Sequence, residues 1–132
     1  MKMKTLLTAT LACIIFSMSG FKVKNETQYY VAYGWENINY CDNKSLGTAW
    51  VYSNVVKVSC DYISSQGVFN QFNEHYASIY GRTRCRNIVG SYATGFDTYD
   101  EAAAFRRKKI AEAQNSHDNP PILINNFTYY CD

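Results

Sequence analysis

The chain predicts a small α+β domain: a mixed four-stranded sheet with two helices packed on it, braced by two disulfides. Three observations lead there. Stretches in which large side chains recur at every second residue are interleaved with stretches of helical apolar spacing, in the order β-β-α-β-α-β. Hydrophobic residues make up 47% of the chain, enough to build a core and too many for a disordered segment. Four cysteines remain once the N-terminal nineteen residues are set aside as an export signal.

That signal comes first. Lys2 and Lys4 give a positive start, Leu6 to Phe16 an apolar run, and Ser17-Met18-Ser19 the small residues a signal peptidase requires. Residues 1–19 are therefore expected to be removed, leaving 20–132 as one domain. The apolar run is too short for a permanent membrane span. Thr10-Leu11-Ala12 before Cys13 makes a poor lipidation signal, so no stable membrane anchor is expected. A lysine-rich start of this kind fits a bacterial protein exported to the periplasm or the medium. Cleavage takes Lys+Arg from 13 to 11, equal to the 11 acids, so the apparent charge of +2 vanishes. A neutral domain argues against general nucleic-acid or anionic-membrane binding.

Residues 29–35 alternate, with Tyr29, Val31, Tyr33 and Trp35 on one side and Tyr30, Ala32 and Gly34 on the other, which predicts a strand. The polar stretch 36–48 predicts a loop carrying Cys41. Residues 50–60 read as the second strand, with Trp50, Tyr52, Val56, Val58 and Cys60 on one face. Ser64 or Ser65 offers a cap for a helix reaching about Tyr80, whose Val68, Phe69, Phe72, Tyr76, Ile79 and Tyr80 form an apolar stripe. Residues 84–94 read as a third strand broken by Gly95. Thr98-Tyr99-Asp100-Glu101 is a capping box opening a helix to about Gln114, with Tyr99, Ala102, Ala103, Ile110 and Ala113 inward. Arg106 falls in that stripe, where its stem can lie on apolar surface while its head reaches out. Residues 122–130 complete the sheet.

This order ranks the cysteine pairings. If the first two strands form a hairpin and each helix returns the chain to a parallel strand, Cys60 and Cys131 share one edge of the sheet and Cys41 and Cys85 the other. The expected bridges are Cys41–Cys85 and Cys60–Cys131. The cysteines show no C-x-x-C spacing, and His75 and His117 are not at zinc-ligand intervals from them, so no metal or other cofactor is expected.

Two functions compete. The first is a non-enzymatic binding protein, such as a periplasmic immunity or inhibitor protein, presenting Tyr33, Trp35, Tyr40 and the arginines Arg82, Arg84 and Arg86 to a protein or glycan partner. Twelve tyrosines support it, since Tyr joins apolar area to a polar tip. Period-two arginines would project from one face of a strand, or shield an edge. The second is a small secreted ribonuclease, with His75 and His117 as acid and base and a nearby arginine on the phosphorane.

Overall fold

The computed structural model describes residues 27–37, 48–80, 88–116 and 119–131. Five strands and two helices follow one another: β1 (Gln28–Asn37), β2 (Thr48–Ser53), β3 (Val56–Val58), α1 (Ser65–Tyr80), β4 (Ile88–Phe96), α2 (Tyr99–Ser116) and β5 (Ile122–Ile124). The α+β class and element order agree with the sequence reading. The strand count does not, because the predicted second strand is two.

The break has a visible cause. Tyr33 is paired with Tyr52, yet Tyr30 is paired with Val56, so one extra residue enters between β2 and β3. This is a β-bulge, and it reverses which face the later side chains occupy. Trp50 and Tyr52 therefore lie on the face opposite Val56 and Val58, correcting their expected grouping. At the bulge the Ser53 hydroxyl accepts the Ala32 amide at 2.9 Å and donates to the Asn54 carbonyl at 2.7 Å. Asn54 satisfies the far side: its amide donates to the Phe127 carbonyl and accepts the Phe127 N–H, standing in for a peptide group.

β1 is the central strand, flanked by antiparallel β4 on one side and by β2 and β3 on the other, with β5 parallel to β2. The connection through α1 carries the chain over β1 to β4. The connection through α2 carries it back over β1 and β2 to β5. Right-handed crossovers running in opposite directions place their helices on opposite faces. That is the arrangement found: the sheet lies between α1 and α2, so the apolar stripes of the two helices are buried on separate faces.

On the α1 face, Val68, Phe69, Phe72 and Tyr76 pack against Tyr30, Ala32, Val51, Val58, Ile88, Ile124 and Phe127. Ser64 caps the helix by accepting the Gly67 amide at 3.0 Å. Ile79, expected in the stripe, is instead exposed. The Thr98 capping box of α2 forms in both directions: Glu101 N–H donates to the Thr98 hydroxyl, and the Glu101 carboxylate accepts the Thr98 amide. The buried residues of α2 are only Ala102 and Ala113, and Tyr99 is exposed, resting edge-on against Tyr29.

Two strand limits differ from expectation. Gly95 does not break β4: it pairs with Tyr30, whose ring covers the place a side chain would occupy. After Ile124 the chain is tied by side chains rather than by a strand. Asn54 holds Phe127, and Gln71 bonds both the amide and the carbonyl of Tyr130. The Cys60–Cys131 disulfide then locks the end of this segment beside the residues after β3. Cys41 and Cys85, with their expected bridge, and the expected signal at residues 1–19 lie outside the described residues.

Candidate functional site

On the α2 face the cross-strand register aligns aromatic rings in rows. Tyr33 on β1 is paired with Tyr52 on β2 and with Tyr92 on β4, and Trp35 is paired with Trp50. Directly opposed side chains on one face are close neighbours, so these rings must meet. Tyr33 stacks on Tyr52 at 5.8 Å and on Tyr92 at 5.2 Å, with interplanar angles of 21° and 16°. Trp35 meets Trp50 edge to face at 5.5 Å, and Trp50 stacks on Tyr52 at 6.2 Å. Such pairs contribute about 0.5–1.5 kcal/mol each beyond area burial.

A glycine sets the pose of Trp35. β4 has a bulge facing Gly34, and Gly90 there adopts φ +77°, the left-handed region that suits glycine. A Cβ on Gly90 would run into the Trp35 ring. The indole thus lies directly on the backbone of β4.

The row runs from closed to open. Tyr52 is 2% exposed and Tyr92 46%. The Tyr52 hydroxyl donates to the Lys109 carbonyl of α2 at 3.2 Å. Burial pushes its pKa up to about 12, with the Glu112 carboxylate and Tyr33 acting in the same direction. It is a neutral donor at ordinary pH, not a base. Between this row and the C-terminal half of α2 lies a cleft of about 190 Å³, lined by Tyr33, Trp50, Tyr52, Lys109, Glu112 and Ser116. Lys109 pairs with Glu112 at 3.2 Å on its rim.

Arg106 holds α2 to the sheet. Its Nε donates to the Ser53 carbonyl at 2.6 Å and a terminal nitrogen to Asn125 Oδ1 at 2.9 Å. Burial lowers its pKa, but a guanidinium keeps its charge. The arginine head therefore goes to the bulge and the segment after β5.

Of the predicted binding residues, Tyr33 and Trp35 come together here; Tyr40, Arg82, Arg84 and Arg86 lie outside the described residues. Sequence reasoning missed Trp50, Tyr52 and Tyr92 as members of the site. A signal existed, since Trp50 and Tyr52 share the alternation of Trp35 and Tyr33, but it needed the hairpin register to be used. Of the two candidate catalytic histidines, His75 sits on α1, bonded to Asn126 at 3.0 Å and packed beside Phe127. His117 lies outside the described residues. Glu36 is buried on the α1 face, accepting the Tyr76 hydroxyl at 2.7 Å. Among the described residues no cluster of His, Cys, Asp or Glu could hold a metal ion. No known protein family, characterised protein or solved structure matches this chain.

Proposed function

We propose that this chain is an exported, non-enzymatic binding protein that engages a protein partner through the Tyr33, Trp35, Trp50, Tyr52 and Tyr92 face. The observation that carries the reading is the continuous ring row that starts buried at Tyr52 and ends half-exposed at Tyr92. Protein interfaces concentrate Tyr and Trp at a desolvated centre and surround them with polar groups. Lys109 and Glu112 supply such a rim, and the cleft beside Trp50 has room for one anchoring side chain. The rings are fixed by stacking and by Gly90 before any partner arrives, which lowers the ordering cost of binding. Export is supported by the Cys60–Cys131 disulfide, a bond that oxidising compartments preserve. No described helix is long and apolar enough to cross a membrane.

The test uses a built-in reporter. The chain has two tryptophans, Trp35 and Trp50, and both lie on this face, so intrinsic indole emission reads it selectively. Proteins cross-linked to the native chain in its own cells are purified and titrated against it. The expected result is a partner that shifts the emission and binds the Trp50→Ala variant at least tenfold more weakly, roughly the scale of an interface anchor. Emission that responds to oligosaccharides and to no protein would replace the partner with a glycan. RNA cleavage lost in His75→Ala would replace the reading with the hydrolase.

A further inference from the structure

We infer that β4 is a self-association edge, at which a second copy of this chain adds antiparallel across a two-fold axis near Thr94. Among the described residues β4 pairs with β1 alone, and no described strand meets the row of backbone donors and acceptors on its other side. Natural proteins blunt such edges with charge, proline, brevity or a bulge. β4 has nine residues and neither charge nor proline. Its bulge is confined to the Gly90 end, which leaves Tyr92–Phe96 in unbroken register with β1. The opposite edge, β5, has only three residues.

The occupant follows from self-complementarity. An antiparallel two-fold at Thr94 sets Thr94 opposite its own copy, Tyr92 opposite Phe96 and Ala93 opposite Gly95. Thr–Thr and aromatic–aromatic pairs are among the favourable cross-strand combinations, and no like charges meet. On the α2 face, Tyr92 and Phe96 already stand beside Tyr33 and Tyr29 of β1, so a second copy extends each aromatic row across the axis. On the α1 face the edge is flanked by a groove of about 160 Å³, whose α1 wall is the uncharged Ser65, Gln66 and Phe69. That wall gives the neighbouring copy nothing to repel. A ladder this short buries less than the roughly 800 Å² per partner of a standard interface. The dimer is therefore weak and forms only as concentration rises.

Sedimentation equilibrium of the purified protein from about 1 µM to about 1 mM is expected to show a monomer–dimer equilibrium. Thr94→Lys places two ammonium groups face to face and is expected to weaken it at least tenfold. Leu123→Lys, at the β5 edge, is expected to leave it unchanged. Hydrogen exchange of the wild type provides a readout independent of any variant: amides within Tyr92–Phe96 gain protection as concentration rises, while those of β5 do not. A chain monomeric throughout the range overturns the inference. So does a dimer indifferent to Thr94→Lys, or β4 exchange that ignores concentration.

Discussion

The two faces of one sheet are built from different materials. On the α1 side lie valines, two isoleucines and phenylalanines, with Phe72 and Val68 wholly buried. Against α2 lie tyrosines and tryptophans, and the helix itself buries only two alanines. The first arrangement mainly removes apolar area from water, with the buried Glu36 bonded to Tyr76. The second uses ring stacking and a few directed bonds, Tyr52 to Lys109 and Arg106 to Ser53, and leaves rings at the surface. Stability should therefore be concentrated on the α1 face, and recognition on the α2 face.

The sharpest way to break that division is Phe72→Ala. Phe72 is fully buried between Phe69 and Phe127, and truncation is expected to cost about 3–5 kcal/mol, read as a fall in the urea midpoint. If the loss were under about 1 kcal/mol, the α1 face would not be the principal core. Gly90→Ala comes next. The positive φ alone costs about 1–2 kcal/mol, and the Trp35 ring must also move, so the midpoint should fall and indole emission should shift with it. A change in stability without a change in emission would separate the glycine from the site.

Alkali provides a smaller, graded test. In the unfolded chain a tyrosine ionises near its ordinary value of about 10, whereas folded Tyr52 holds its proton to about 12. Between those values the unfolded state binds fewer protons, so stability is whole below about pH 10 and declines as pH rises toward 12. Burial raises Tyr30 in the same direction. Phenolate absorbance should show late-titrating tyrosines that rejoin the rest on unfolding, and Tyr52→Phe should reduce their number. The smallest stability effect is expected from Tyr92→Ala, about 0.5 kcal/mol, since that ring is half-exposed at the end of its row. Partner binding measured on the same variant should fall far more than its melting temperature.

Much of this was legible where local pattern and tertiary structure agree. The alternation of β1, the Ser64 cap and the Thr98 capping box are short-range signals, and each side chain found the role its spacing implied. The Cys60–Cys131 bridge was also within reach, because the expected crossovers bring those two positions together. Gly95 misled because a glycine that ends a strand and one that shelters a cross-strand ring look identical until the partner, Tyr30, is known. The last strand ends earlier than its pattern predicts: 125–130 reads as strand, while Asn54 and Gln71 side chains supply the bonds a neighbouring strand would have made. Alternation alone puts Trp50 and Tyr52 on the face of Val56 and Val58, because a bulge leaves no mark in periodicity.

That single extra residue makes the chain count. β2 contributes to the aromatic face and β3 to the α1-side core only because their side-chain alternation is out of phase. Losing Asn54 would remove the bulge and still leave Val56 opposite Tyr30, whereas gaining one residue there with the bulge unchanged would turn Val56 and Val58 toward the wrong layer. A gene for this protein should therefore tolerate many amino-acid exchanges between Ser53 and Val56 more readily than a one-residue insertion there. A library scored for folding would show this as a narrow gap in length tolerance at the middle of an otherwise permissive hairpin arm.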